Sequence, residues 1–189
     1  MLEFLKYIDL KIFLFINQTL SNSIFDFIMP LFDNPKYWII PILICWIIMA
    51  VKDKQNRYRL LALIPIVVLL CDQTGAFIKN FELRERPWFF LGNDIVNHLG
   101  GFGGKHKSFP SNHAANITGL ATILSGIYQE RKEWFYMFAF MIMFSRVYIG
   151  VHYPADIAAG AIIGISIGLL LNYLWLLFTT NSEEYHQEF

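Results

Sequence analysis

Charge is scarce in this chain. Lys, Arg, Asp and Glu make up only 16% of 189 residues, while 56% are hydrophobic and 17% aromatic. A soluble domain carries about 25% charged residues. The deficit excludes an ordinary water-soluble fold and points to one domain embedded in a membrane. The charges that remain cancel, fifteen basic against fifteen acidic, so there is no global attraction to nucleic acid and any electrostatic function is local. Cysteine is nearly absent: Cys45 and Cys71 each lie within an apolar run, where a thiol behaves as a small hydrophobe, and no disulfide framework is expected. The N-terminus also lacks an uninterrupted apolar stretch with a small-residue cleavage site. Glu3, Lys6, Asp9 and Lys11 interrupt it, so it does not read as a removable signal peptide and the chain is taken as mature from residue 1.

What is present is a series of long apolar segments. Residues 2–20 carry Leu5, Ile8, Ile12, Phe15 and Ile16 at helical spacing with charges interspersed, the pattern of an interfacial helix; a short first crossing is the alternative. Asp33-Asn34-Pro35 offers a cap and an N-terminal proline for an apolar helix to about residue 51. Further apolar helices are expected over about 58–78, with a kink at Pro65, and over 112–128, 134–151 and 155–178. Residues 79–111 are polar and glycine-rich and read as an extramembrane loop. The fold class expected is therefore all-α: an integral membrane bundle of five or six transmembrane helices with an N-terminal interfacial helix, all in one domain.

Five crossings place the 79–111 loop and the 145–156 turn on one side of the membrane. The connector side carries Lys52, Lys54, Arg57, Arg59, Arg131 and Lys132, as a cytoplasmic face should, but the opposite side carries Lys79, Arg84, Arg86, Lys105, Lys107 and Arg146. Either the orientation is open, or those six cations are kept for chemistry. Gly160, Gly164 and Gly168 recur at four-residue spacing, which suits close packing inside one bundle more than dimerisation.

Together the two same-side segments hold Lys79, Arg86, Ser111, His113, Arg146, His152 and Asp156. Two arginines and a lysine match phosphate oxygens and offset charge that develops in phosphoryl transfer. Ser111 and Asn112 precede a helix whose first N–H groups attract anions. His152 and Asp156, at i and i+4, share a helical face if the helix has begun at His152, a start that Pro154 tolerates. A carboxylate on one imidazole nitrogen leaves the other free to attack, and His113 remains to protonate a leaving oxygen.

Lys79 with six residues to Arg86-Pro87, then Pro110-Ser111-Asn112-His113, then Ser145-Arg146 with five residues to His152 and three more to Asp156, resemble in order the three signature motifs of the type 2 phosphatidic acid phosphatase superfamily. The resemblance covers roughly residues 58–175. It implies a membrane phosphatase acting without a metal or other cofactor: His152 as nucleophile forming a phosphohistidine, Asp156 orienting it, His113 as general acid, and Lys79, Arg86, Ser111, Asn112 and Arg146 holding phosphate. Asn112 departs from the glycine most common at its position. The implied partners are membrane lipids and a lipid phosphate, such as lipid A 1-phosphate, undecaprenyl diphosphate or phosphatidylglycerol phosphate. The implied location is a bacterial inner membrane with the site facing outward. A non-catalytic lipid-phosphate binder or transporter is the alternative class, in which the cations matter and the His152–Asp156 pairing does not. A haloperoxidase-like enzyme is disfavoured by the membrane setting.

Weaker readings attach to other residues. Asp72 is expected to support Lys79 or a neighbouring helix. Arg84 either contacts phosphate or pairs with Glu82 or Glu85. His98 and His106 read as solvated or head-group contacts, and Trp38, Trp88 and Trp134 as an interfacial belt.

Overall fold

The computed structural model describes residues 2–92, 94–101 and 103–187; the chain ends and Asn93 and Phe102 of the polar loop lie outside them. Eight α-helices follow in order: α1 Leu2–Leu14, α2 Ser23–Ile28, α3 Ile39–Lys52, α4 Arg57–Lys79, α5 Pro87–Phe90, α6 Asn112–Ile127, α7 Lys132–Tyr148 and α8 Pro154–Gln187. Among the described residues the only β pairing is one bridge between Arg84 and Lys107. The architecture is the all-α membrane bundle that the composition implies.

Among the described residues two helices meet the length and hydropathy needed to cross a bilayer alone: α4, with 23 residues, and Pro154–Thr179 of α8, with 26. The other apolar segments are helices as expected but shorter, at 14 residues for α3, 16 for α6 and 17 for α7. At about 1.5 Å per residue these fall short of a hydrocarbon core of roughly 30 Å. α6 buries Ala114, Ala115, Thr118, Gly119, Ala121, Thr122 and Ile123, so it faces its neighbours along much of its length.

The N-terminal segment is more than a surface helix. Glu3–Thr19 and Ser23–Phe32 form an apolar pair bent by 97°. One face of the first arm shows Phe4, Leu5, Tyr7, Ile8 and Ile12 to the outside, and the other buries Asp9, Phe13 and Asn17. The Asn17 side chain donates to the carbonyls of Asn97 (2.9 Å) and Tyr148 (2.7 Å) and accepts from Asn97 N–H (2.9 Å), which ties this arm to the polar loop and the end of α7. Alternating charge hid this inward face, because Asp9 looks like a solvated residue until its partners are known.

The glycine stripe of α8 lies on α6 of the same chain. A methyl group added at Gly160 would clash with Ser111, the residue that caps α6, and one added at Gly164 or Gly168 would clash with Ala115 or Thr122 of α6. Small residues let the two backbones approach closely, as lipid-embedded helices require. The consequence for function is positional: the start of α8 is pressed against the start of α6, and Ser111 N–H donates to the Asp156 carbonyl at 3.1 Å.

Candidate active site

The turn between α7 and α8 builds the centre. α7 ends at Tyr148, Gly150 takes a positive φ of +80°, and Pro154 opens α8. A left-handed residue there favours glycine. The Val151 and His152 N–H groups fold back onto the Arg146 carbonyl at 3.2 and 3.3 Å, so Arg146 and His152 are fixed to one short loop. His152 is 2% exposed, with Nδ1 3.6 Å from Asp156 Oδ2. At that distance the two groups are in electrostatic contact but too far apart for a hydrogen bond.

Burial pushes the His152 imidazole down to about 4; the Asp156 carboxylate opposes this, and the charges of Arg86 and Arg146 add to it. The ring is therefore neutral at ordinary pH, as a nitrogen nucleophile must be.

Asp156 is fully buried and held by several donors. Oδ2 accepts from Ser108 Oγ at 2.6 Å and from Tyr153 N–H at 3.0 Å, and Oδ1 accepts from Arg84 at 3.1 Å. Arg84 follows neither sequence expectation. It pairs with Asp156 and with Asp9, at 2.6 Å, while its guanidinium carbon stacks 3.7 Å from the Tyr153 ring centroid. Asp9 also accepts from Ala155 N–H at 2.8 Å. Arg84 and Ser108 reach the site together because their segments pair locally: Ser108 N–H donates to the Arg84 carbonyl at 3.0 Å and Arg86 N–H to the Lys105 carbonyl at 2.8 Å.

A cavity of about 690 Å³ is lined by Arg86, His113, Arg146, Asp33, Gly101 and Gly103 among others. Arg86 is steered by two carbonyls, Val151 and Gly104, each at 3.1 Å. His113 is exposed to the cavity, within electrostatic reach of Arg146, His152, Asp33 and Lys79. Arg146 is 3% exposed and ion-paired to Asp33 at 2.6 Å. Burial works to raise the Asp33 carboxyl, but the Arg146 charge and the Gly101 N–H outweigh it and hold the group below the usual carboxylate range.

Lys79 stands behind this wall, donating to the Pro110 carbonyl and Asn112 Oδ1. Asn112 in turn donates to Asp72 at 3.2 Å, and Asn116 donates to the same oxygen at 3.0 Å. Asp72 thus supports the neighbouring helix and reaches the lysine through Asn112. Gly75 of α4 leaves the space that the Asn112 side chain fills. Ser111 is fully buried and caps α6, its hydroxyl accepting from Ala114 N–H at 3.4 Å.

The eight residues singled out in the sequence therefore gather in one region. Arg86, His113 and Arg146 line the cavity, and Lys79, Ser111, Asn112, His152 and Asp156 are not part of its lining. Sequence reasoning missed Asp33, read as a helix cap, and the roles of Asp9, Arg84 and Ser108. Trp88 is another correction: it is 8% exposed and stacks on His98 at 5.2 Å, inside the structure instead of at its edge. His98 is thereby a packed residue, whereas His106 is half exposed and pairs with Glu85 at 3.0 Å. Among the described residues no three His, Cys, Asp or Glu side chains gather as metal ligands.

The profile of the PAP2 superfamily matches residues 57–179, which include all three motifs. The chain belongs to this family. It is 32% identical over 187 residues to a lipid A 4'-phosphatase of Bacteroides thetaiotaomicron, covering 92% of this chain and 80% of that protein. Its fold is similar to the crystal structure of Aquifex aeolicus LpxE, with a TM-score of 0.70, 28% identity and coverage of 86% of this chain and 93% of the other. It is also similar to a transmembrane PAP2-type phosphatidylglycerolphosphate phosphatase from Bacillus subtilis, with a TM-score of 0.65 and 19% identity, covering 90% of this chain and 85% of that one. That second likeness speaks to the fold alone.

Proposed function

We propose that this PAP2 protein is a membrane lipid phosphatase that removes a terminal phosphate through a phosphohistidine on His152. The observation that carries the reading is convergence: a buried, carboxylate-backed neutral histidine lies within electrostatic reach of the two arginines and the second histidine that wall one cavity. Arg86 and Arg146 grip the phosphoryl oxygens, and Lys79, Ser111 and Asn112 complete the cradle from the α4 and α6 ends. With Asp156 at Nδ1, the Nε2 lone pair of His152 attacks phosphorus. The N–P bond forms as the P–O bond to the lipid breaks, and His113, protonated under the negative charge of the bound phosphate, gives that proton to the departing lipid oxygen. Water, deprotonated by His113, then attacks the phosphohistidine, releasing inorganic phosphate and restoring the imidazole. Charge in both steps is offset by the fixed cations, so the chemistry proposed needs no metal ion.

The substrate proposed first is a lipid A phosphate, because the Bacteroides relative bears that name over most of both chains. Undecaprenyl diphosphate and phosphatidylglycerol phosphate are the other candidates. In this reading the protein sits in a bacterial inner membrane, its cavity opens on the outer side, and the acyl or prenyl chains stay in lipid. Phosphate release from these lipids by the detergent-solubilised protein, with and without EDTA, tests it. Turnover of a lipid A phosphate above the others, unchanged by EDTA, is expected. Loss of all turnover in EDTA would sink the metal-free chemistry, and a preference for another lipid would reassign the substrate.

A further inference from the structure

Arg146 presents a problem that the phosphatase reading leaves open. A guanidinium only 3% exposed needs a counter-charge, since an unpaired buried ion is costly. That counter-charge is Asp33, 2.6 Å away, from a segment remote in sequence. The Asp33 side chain keeps 18% exposure and lines the same cavity as Arg86 and His113. Its two oxygens have separate tasks: Oδ1 faces Arg146, while Oδ2 accepts from Gly101 N–H at 2.6 Å on the cavity rim. A carboxylate and a phosphoryl group present the same paired oxygens to a guanidinium fork. An anion therefore already occupies part of the place where phosphate must go.

We propose that Asp33 is a specificity-determining residue of the phosphate pocket: it holds Arg146 as a resident anion and gives up that contact to the incoming phosphoryl group. The inference rests on the phosphate-binding reading given above. Phosphate enters by exchange, so its binding energy is reduced by the ion pair it breaks and by the like charge it meets. Asp33 stays on the rim through Gly101 and is ready to recapture Arg146 when inorganic phosphate leaves. The residue thus keeps the arginine aimed while the site is empty and keeps free phosphate from lingering after each turnover. A purely structural ion pair makes the opposite forecast, because losing Asp33 would then loosen Arg146 and weaken phosphate binding.

Equilibrium dialysis of the purified, full-length protein in detergent against radiolabelled inorganic phosphate separates these. Asp33→Asn keeps an oxygen for Gly101 N–H but removes the charge, and Asp33→Ser removes the charge with a smaller side chain; Asp33→Glu keeps it. The neutral variants should bind inorganic phosphate about tenfold more tightly than the parent, a typical size for coupled sites, and Asp33→Glu should not. Equal or weaker binding by whichever neutral variant retains the parent's helical circular dichroism overturns the proposal. No saturable binding by any form, the parent included, would instead remove the phosphate pocket itself.

Discussion

The two sides of His152 are built differently. Behind it, Asp156 is fully buried and receives Ser108, the Tyr153 N–H and Arg84, whose own charge is shared with Asp9. In front, Arg86, Arg146 and His113 border an open cavity in which the anion present is a carboxylate, Asp33, with partial access to solvent. The Asp156 carboxylate is fully partnered, while the Asp33 carboxylate keeps one partly exposed ion pair. A nucleophile needs a fixed orientation, whereas a substrate site needs a partner it can trade. Under the proposed mechanism, this difference puts the fixed contacts on the support of the nucleophile and the exchangeable one on the phosphate side.

The largest effect should come from breaking the rigid side. Asp156→Asn keeps the shape but removes the charge that orients His152, and kcat should fall by about 10³–10⁴, as for an orienting aspartate in a hydrolytic triad. A fall of less than tenfold in the folded variant would mean that the carboxylate does not orient the ring.

A smaller effect is expected one step further back. Arg84→Gln leaves Asp156 with Ser108 and Tyr153 N–H, and kcat/KM should drop about tenfold through looser positioning. The pH profile gives the sharper readout. His152 is neutral above about 4 in the folded protein, so the acid limb of kcat/KM should lie near that pH and activity should fall as the ring gains a proton below it. Without the Arg84 cation, Asp156 pulls harder on the imidazolium, so the limb should move to higher pH. A tenfold loss with an unmoved limb would make Arg84 a structural support only.

These contrasts also explain what was legible in the sequence. The apolar helices and the polar loop follow from hydropathy, a local property, and the segments 58–78 and 155–178 reappear as α4 and α8. Lys79, Arg86, Arg146 and both histidines stand out because each is a costly residue beside an apolar helix. The supporting pairs do not, because each joins distant segments: Asp9 with Arg84, Asp33 with Arg146, Ser108 with Asp156. Asp33 is further disguised by a real local signal, since Asp-Asn-Pro reads as a helix start, yet the chain first forms a short turn over Pro35–Tyr37 and α3 begins at Ile39. α3 loses its first residues to that turn, and α7 stops at Tyr148, short of the expected residue 151, where the chain turns toward His152.

The central claim is that His152 carries the phosphoryl group. Rapid quench of the protein with a radiolabelled lipid phosphate, followed by mapping of the label, measures this directly. The account predicts an acid-labile, alkali-stable phosphate on the peptide containing His152, absent from His152→Ala, which should also release no phosphate. Label on another residue, or phosphate release by His152→Ala at the parent's rate, would contradict it.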